Sequence, residues 1–374
     1  MSSRPGRLPV IRGVAIIGDL LRPTGAGDPG GSDAQTIWLL NAVKRQIALA
    51  SGQSAGIISS RHLPEWRAWL EAQRPPRASA RFWAARYHRL AETAAFDRIV
   101  MPHLRERFVA GWELPPYLAA ILESAGIPFI DLRIHPVRFL DDLLFAVRAS
   151  DAATRAALPG MAVAEAEAIA TAGLREAMCQ LIGETSVAGD TLLVLGQRPM
   201  DSSQIAGGGF FDAMDHADTI AALCAGHRGV LLKPHPQEAD HSLMRVAAGV
   251  ARNVLFATRD NLYRLLSAPQ IAAVLTVNSG AAYEAAYFGK AVHTLAPLPV
   301  RLAWRGDAAA ADQHVSIDDR VLTADFWRTV LSPHTDVSRT DGFRLPPKPN
   351  RLRIALDSFW NFQEIDTDRI PAKR

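Results

Sequence analysis

Three short apolar runs in the second half of the chain each lead into a cluster of polar residues. The runs and their clusters are 191–196 with Gln197 and Asp201, 230–233 with Lys233 and His235, and 272–277 with Asn278 and Ser279. Apolar runs of this length, bounded by turn residues, are typical of buried parallel strands. The segments between them are long enough for crossover helices, for example at 213–225 and 239–250. Because ligands bind beyond the carboxyl ends of parallel strands, the three clusters are expected to line one crevice.

The first half of the chain shows the same alternation of apolar runs and helical patterns. Strands are predicted at 13–18, 56–59, 98–101 and 128–132, and helices at 33–50, 64–72, 80–94, 115–124 and 137–148. Further helices are predicted at 164–182, 281–288, 324–331 and 352–362. Alternating strands and helices are typical of an α/β fold. The sequence therefore predicts two Rossmann-like domains, with a boundary close to residue 188.

Composition and charge narrow the class of protein. The chain has 374 residues and is 48% hydrophobic, which is enough for two sizeable α/β domains. Its formal net charge is only +3, which argues against a dedicated nucleic-acid binder. Residues 61–107 carry ten Arg against five acidic residues. This local excess indicates either solvated helix faces or attraction to an anionic glycan acceptor or an inner-leaflet membrane surface.

Cysteine usage and hydropathy indicate the compartment. Cys179 and Cys224 lie in predicted helices and are too few for a disulfide framework or a zinc site. The first apolar run is interrupted by Gly18 and Asp19, so no signal-peptide core is predicted. No window approaches the length that spans a bilayer. We expect a cytoplasmic protein, soluble or peripheral at the inner membrane.

The predicted crevice carries groups suited to an anionic, nucleotide-linked substrate. Ser279 is a good N-cap for the helix predicted at 281–288, whose first N–H groups would face a phosphate. His235 stands between two prolines that restrict the backbone, where it can donate to the same phosphate or to a leaving group. Lys233 adds positive charge and Asp201 adds a carboxylate. The alternative is that Asp201 is a turn residue and Ser279 only caps its helix.

A second charged cluster follows the strand predicted at 128–132. Asp131, Arg133, His135 and Arg138 fall within eight residues of one another. Asp131 is a candidate general base for an acceptor hydroxyl, which needs a proton acceptor within hydrogen-bond reach. His135 and Arg138 are candidates for orienting an acceptor or meeting a donor carboxylate, and Arg133 is assigned to the same acceptor side. The alternative is a structural Asp–Arg network at a domain edge.

Several of these residues form an ordered set of motifs across the C-terminal half. The set is Gly196-Gln197 with Asp201 and Ser202, then Lys233-Pro234-His235-Pro236, then Val277-Asn278-Ser279-Gly280 with Glu284 and Gly289-Lys290. It resembles the retaining β-Kdo glycosyltransferases of capsule and O-antigen polysaccharide biosynthesis. The resemblance implies a GT-B-like architecture, in which two Rossmann-like domains face a cleft and a C-terminal helix crosses back to the N-terminal domain. The implied division is 1–187 for the acceptor side, 188–345 for the donor side, and 346–374 for the crossover helix and tail.

The resemblance also implies a reaction and its participants. The donor would be CMP-Kdo, the acceptor a glycan or lipid-linked glycan, and Asp201 the nucleophile of a double displacement with retention. His235 would protonate the leaving group, and the donor-binding residues would be Gln197, Ser202, Lys233, Asn278, Ser279, Gly280 and Glu284, with Glu284 reaching ribose hydroxyls. Because CMP is a stabilised anionic leaving group, neither a metal nor a cofactor is expected.

Three alternatives stay open at the level of sequence. The donor could carry another ulosonic acid in place of Kdo. The chain could instead be a different nucleotide-dependent transferase that uses a UDP-sugar or CDP-glycerol. It could also be a non-catalytic glycan-binding scaffold of an export complex.

Overall fold

The computed structural model describes residues 11–23, 31–73, 79–182, 187–198, 200–235, 242–252, 254–338 and 350–356. The strands are β1 Val14–Ile17, β2 Ala55–Ile58, β3 Phe108–Trp112, β4 Phe129–Ile134, β5 Phe145–Ala149, β6 Thr191–Leu195, β7 Ile205–Ala206, β8 Gly209–Phe210, β9 Gly229–Lys233, β10 Val254–Ala257, β11 Ile271–Thr276, β12 Ala291–Thr294, β13 Arg301–Ala303 and β14 Gln313–Ile317. The helices are α1 Gly31–Ser51, α2 Pro64–Gln73, α3 Ser79–Arg86, α4 Thr93–Ile99, α5 Pro116–Ser124, α6 Ala152–Ala157, α7 Glu165–Ile182, α8 Ala217–Ala225, α9 Ser242–Val250, α10 Leu262–Ser267, α11 Ala281–Tyr287, α12 Ala324–Leu331 and α13 Arg351–Leu356. Strands and helices alternate along most of this length, which confirms the α/β class.

The first sheet has the strand order β13-β14-β5-β4-β3-β1-β2. Strands β2, β1, β3 and β4 run parallel, whereas β5 is antiparallel to both β4 and β14. The order changes direction between β1 and β3, because the chain adds β2 on one side of β1 and β3 on the other. In open α/β sheets, the carboxyl ends of the strands at such a point form a crevice.

The second sheet has the order β10-β9-β6-β11-β12, and all of these neighbours pair in parallel. The strands predicted at 191–196, 230–233 and 272–277 are its three central members, β6, β9 and β11. This order is that of a doubly wound fold, and its direction changes between β6 and β11. The carboxyl ends of these two strands therefore border the crevice of this sheet.

Alternate residues of the central strands are buried on opposite faces of the sheets. In β6, Leu193 and Leu195 belong to one hydrophobic cluster and Leu192 and Val194 to another. Strand β1 alternates in the same way between its two clusters. Parallel sheets covered by helices on both faces require such continuous apolar strands. Polar side chains are consequently concentrated where the strands end.

The last described elements return to the first sheet. Strands β13 and β14 extend that sheet, and Phe326 and Trp327 of α12 pack in one core cluster with residues of α1. Leu352 of α13 belongs to the same cluster, and its N–H donates to Asp142 Oδ2 at 2.9 Å. Of the predicted crossover segment 346–374, only residues 350–356 are described. The division at residues 187 and 345 stays a prediction, with β13, β14 and α12 associated with the first sheet.

The strand predicted at 98–101 is wrong. These residues lie in the end of α4 and the 3-10 turn Met101–His103, and the strand is β3. Phe96 and Ile99, three residues apart, are buried on one face of α4. A short apolar run does not by itself distinguish a buried strand from the buried face of a helix.

The helix predicted at 137–148 is also wrong, and the one at 80–94 is interrupted. Residues 145–149 form β5, while Val137, Phe139 and Leu140 pack into a hydrophobic cluster of the second sheet. Tertiary contacts therefore replace the local hydrogen bonds that a helix would form. In the second case, α3 ends at Arg86 and α4 begins at Thr93. The sequence analysis also missed β7, β8, β10, β12, β13, β14, α6 and α10.

Hydropathy of the helices bears on membrane topology. In the described parts of the chain, every helix is too short or too polar to cross a bilayer.

We expect Trp327→Ala to lower the free energy of unfolding by about 3–5 kcal/mol, because it removes a large buried aromatic side chain. Trp327 is 0% exposed and its Nε1–H donates to the carbonyl of Val321 at 3.0 Å. Urea denaturation measures the effect. Leu181→Ala is the control, since Leu181 is 84% exposed and its loss should change stability by less than about 0.5 kcal/mol. Equal stability of the two variants would contradict the assignment of α12 to the core.

Candidate functional site

A cleft of about 720 Å³ lies between the carboxyl edges of the two sheets. The second sheet contributes residues that follow β6, β9 and β11, and the first sheet contributes residues that follow β3 and β4. The predicted site residues on its walls are Gln197, Asp201, Ser202, Lys233, His235, Asn278, Ser279, Gly280, Glu284, Arg133 and Arg138. Asp131 and His135 are not among the residues that line it. The structure thus brings the three polar clusters of the second sheet together.

Two amide side chains join the ends of β6 and β11. The Asn278 backbone N–H donates to Gln197 Oε1 at 3.2 Å, and Gln197 Nε2 donates to Asn278 Oδ1 at 2.9 Å. Asn278 Nδ2 donates in turn to the carbonyls of Ser203 and Pro297, at 2.6 and 3.2 Å. Both side chains are nearly fully buried. The pair therefore holds the strand ends at the point where the strand order of the second sheet changes direction.

Asp201 begins the 3-10 turn Ser202–Gln204 on the cleft wall. Its Oδ1 accepts hydrogen bonds from Ser203 N at 3.0 Å and from Ser203 Oγ at 2.8 Å. Among the described residues, Oδ2 has no hydrogen-bond donor. Asp201 is half-buried, and its backbone is extended before the turn. It is thus both a turn cap and a carboxylate with one oxygen toward the cleft.

The approach of β6 to β9 explains the glycine of the first motif. Gly196 N donates to the carbonyl of Lys233 at 2.9 Å. A Cβ at Gly196 would lie 2.9 Å from the backbone nitrogen of His235, closer than side chains tolerate. Lys233 is buried, and its Nζ donates to the carbonyl of Asp260 at 2.6 Å. His235 is half-buried on the cleft wall, while Pro236 lies outside the described residues.

The start of α11 differs from the prediction. Gly280, rather than Ser279, occupies the N-cap position, and the helix ends at Tyr287. The Ser279 hydroxyl accepts a hydrogen bond from Ala281 N at 3.3 Å. A Cβ at Gly280 would come within 3.4 Å of Pro136, so this residue marks a close contact with the segment after β4.

Glu284 is buried between the two sheets. Its Oε1 accepts hydrogen bonds from Arg138 N at 2.7 Å and from the Tyr263 hydroxyl at 2.9 Å. Burial raises the pKa of Glu284 to about 6, although these hydrogen bonds and the Arg138 charge act in the opposite direction. The residue is 4% exposed and lines the cleft, and its predicted contact with ribose hydroxyls stays a prediction.

Asp131 forms a buried ion pair with Arg133. Its Oδ2 accepts from Arg133 Nε at 2.8 Å and lies 3.2 Å from His314 Nε2, and its Oδ1 accepts from Leu114 N at 2.8 Å. Burial alone would raise the pKa of Asp131, but Arg133 and His314 together hold it well below its usual range. Of the two interpretations of Asp131, these contacts support the structural network over the general base.

His135 also lies away from the cleft. It is 0% exposed, with Nδ1 accepting from Val137 N at 3.1 Å and Nε2 at 3.0 Å from the Ser316 hydroxyl. Burial lowers its pKa to about 3, so the ring is neutral at physiological pH. These contacts are those of a structural histidine, and they leave the predicted acceptor-side role without support.

Arg133 and Arg138 differ in their surroundings. Arg133 reaches the cleft while it pairs with Asp131 and donates to the Leu114 carbonyl at 2.9 Å. The Arg138 guanidinium, by contrast, has no ion pair or hydrogen bond with any described residue. Its backbone is held on both sides, because Arg138 N donates to Glu284 and the Arg138 carbonyl accepts from the Arg353 guanidinium at 2.6 Å. The Arg138 guanidinium thus lines the cleft without an ion-pair partner among the described residues, and its charge interacts with the buried Glu284 carboxylate.

Glu113 is a cleft residue that the sequence analysis missed. It directly follows β3, at the point where the strand order of the first sheet changes direction, and has a left-handed φ of 48°. Burial raises the pKa of Glu113; the Arg133 charge lowers it and the Asp201 charge raises it. This electrostatic coupling indicates that Glu113 and Asp201 lie near each other. Recognition of β3 at residues 108–112 would have identified Glu113 as a strand-end carboxylate.

The described residues include no group of three or more His, Cys, Asp or Glu side chains suited to a metal ion. The expectation of a metal-free and cofactor-free site stays a prediction.

Glu284→Gln should stabilise the protein by about 2 kcal/mol at pH 8, because it removes the cost of burying an ionised carboxylate. The folded-state pKa of about 6 exceeds the ordinary 4.5, so folding favours the protonated form. The wild type therefore gains stability relative to the variant as the pH falls from 6 towards 4.5. Urea denaturation at pH 8 and pH 5 tests this, and a stability difference that is constant with pH would contradict it.

Comparisons with known proteins find similarity among solved structures. No protein-family model and no curated protein matches the sequence. Among solved structures, KpsC from Thermosulfurimonas dismutans, a beta Kdo 2,7 transferase, aligns with 64% of this chain and 90% of its own. The sequence identity is 12% and the TM-score is 0.34. Function is therefore inferred from the cleft residues and the sequence motifs.

Proposed function

We propose that this chain is a retaining glycosyltransferase that moves Kdo, or a related ulosonic acid, from a CMP-sugar to a glycan acceptor. The observation that carries the proposal is the convergence of Asp201, His235 and Lys233 in one cleft with Glu113 and Arg138. The first three follow strands of the second sheet and the last two follow strands of the first. Carboxylates and cations from two sheets thus face the same space, and the motif resemblance names the substrate class.

The charges of the cleft suit a donor with two anionic groups. Lys233 and His235 lie together at the end of β9, where they would meet the phosphate of a nucleotide. Arg138 lies on the wall formed by the first sheet, and its guanidinium, which has no ion-pair partner within the described part of the chain, is suited to a carboxylate. A CMP-linked ulosonic acid carries both a phosphate and a carboxylate. A UDP-hexose lacks the carboxylate and would leave the Arg138 guanidinium without a ligand group to bind.

The first chemical step forms a covalent intermediate. A carboxylate oxygen of Asp201 attacks the anomeric carbon, the bond from that carbon to the phosphate oxygen breaks, and CMP leaves with the electron pair. His235 donates a hydrogen bond or a proton to the departing phosphate. The groups required are an ionised carboxylate at the anomeric carbon and a donor at the leaving group.

The second step transfers the sugar to the acceptor. The acceptor hydroxyl oxygen attacks the anomeric carbon, the ester bond to Asp201 breaks, and Glu113 takes the hydroxyl proton. We assign this proton to Glu113 rather than Asp131 because Glu113 lines the cleft and burial raises its pKa, which makes it a stronger proton acceptor than an ordinary carboxylate. Two inversions at the same carbon retain its configuration.

Incubation with CMP-Kdo and a panel of synthetic glycan acceptors should give a product with one added Kdo, detected by mass spectrometry. Asp201→Ala should lower the transfer rate by about 10⁴-fold or more, as loss of a nucleophile does. Asp212→Ala is the matched control, since Asp212 caps a similar 3-10 turn through Met214 N but does not line the cleft.

The same assay separates the alternatives. Transfer from a UDP-sugar or CDP-glycerol, but not from CMP-Kdo, would show that the donor is not a CMP-sugar. Absence of transfer from every donor, with ligand binding unchanged in Asp201→Ala, would favour a glycan-binding scaffold.

Glu113→Gln should slow the second step more than the first, because the acceptor hydroxyl loses its proton acceptor. Turnover is expected to fall by about 10²–10⁴-fold. A Kdo adduct on Asp201 should accumulate in this variant and be located by peptide mass spectrometry after quenching. Normal turnover of Glu113→Gln would exclude Glu113 as the base.

A further inference from the structure

In each hydrogen bond around the Gln197–Asn278 pair, the donor and the acceptor can be assigned in only one way. The Asn278 backbone N–H can only donate, so the Gln197 atom it meets at 3.2 Å is the oxygen Oε1. Gln197 Nε2 is therefore the donor to Asn278 Oδ1 at 2.9 Å and to Ser203 Oγ at 3.0 Å. Asn278 is fixed independently, because its Nδ2 faces the carbonyls of Ser203 and Pro297, which can only accept.

This direction extends through Ser203 to Asp201. Ser203 Oγ receives a hydrogen bond from Gln197 Nε2, so its own hydrogen is left for Asp201 Oδ1, 2.8 Å away. The Ser203 backbone N–H donates to the same oxygen at 3.0 Å. Asn278 Nδ2 holds the Ser203 carbonyl at 2.6 Å, so the serine is anchored through both its side chain and its backbone. Two donors thus meet Oδ1.

We propose that Ser203 is a positioning residue that orients the Asp201 carboxylate. A carboxylate with Oδ1 held by two donors presents Oδ2 as the attacking oxygen. This arrangement is anchored by the buried Gln197–Asn278 amide pair, which joins the ends of β6 and β11. The pairing of these two strand ends thus determines the orientation of the Asp201 carboxylate through Ser203. The inference rests on the proposed role of Asp201 as nucleophile.

A role as turn cap alone makes a different prediction from a positioning role. The backbone hydrogen bond from Ser203 N to Asp201 Oδ1 closes the turn and survives any change of the Ser203 side chain. Only the hydroxyl connects the carboxylate to Gln197. Removal of the hydroxyl therefore tests orientation without removal of the cap.

Steady-state transfer from CMP-Kdo is measured for wild type, Ser203→Ala, Ser203→Thr and the control Ser332→Ala. Ser203→Ala should lower kcat by about 10- to 100-fold, the range of a hydrogen bond to a charged group, and leave the KM for CMP-Kdo within about twofold. Ser203→Thr keeps a hydroxyl and should restore most of the activity. Ser332 is exposed at the C-terminal end of α12, and removal of its hydroxyl should change neither kcat nor KM.

The outcomes separate this inference from the proposed function. If the wild type transfers Kdo and Ser203→Ala matches it in kcat, the positioning role is overturned and the proposed function stands. A Ser203→Ala defect confined to KM would also overturn it. If the wild type does not transfer Kdo, the proposed function fails and this inference with it.

Discussion

The cleft depends on the burial of four apolar side chains between residues 137 and 144, in the first half of the chain, in the core of the second sheet. Val137, Phe139, Leu140 and Leu144 belong to a hydrophobic cluster with residues of β6, β9 and β11. The Phe139 ring packs edge-on against Phe288, with 5.5 Å between ring centroids. This apolar contact makes the carboxyl edges of the two sheets face each other, and each edge contributes both carboxylates and cations to the cleft.

Hydrogen bonds then determine how the segment that follows β4 is positioned against the second sheet. The Arg138 backbone forms two hydrogen bonds: its N–H donates to Glu284 of α11, and its carbonyl accepts from Arg353 of α13. The Arg353 guanidinium also reaches the Leu140 carbonyl at 2.5 Å, and Asp142 receives the N–H groups of Leu352 and Arg353. A buried carboxylate and a buried guanidinium are costly to desolvate, and each is compensated here by hydrogen bonds to the same short segment. The position of Arg138 in the cleft thus depends on the second sheet and on the last described helix together.

The parts of the fold that were predictable are those with a strong local signal. Strands β6, β9 and β11 are continuous apolar runs because both faces of the sheet are covered, and the polar residues after them mark the crevice. Strand β3 was missed because the apolar run before it, at 98–101, belongs to the buried face of α4. Glu113 was missed for the same reason. Asp131 and Arg133 are two residues apart in β4 and share a face of the strand, so they pair with each other, and only the longer arginine reaches the cleft.

The sequence by itself determined the α/β class, the central strands of the second sheet and the polar residues at their ends, because hydrophobic periodicity reports the burial of each element. Only the tertiary structure decided which of those residues meet. Gln197 and Asn278 are 81 positions apart, and Arg138 and Glu284 are 146 apart. Such pairs form when sheets and helices pack, and no local pattern encodes the partner. For that reason the order of motifs pointed to Asp201, whereas the proximity of Glu113 and the anchoring of Ser203 emerged only from the packed fold.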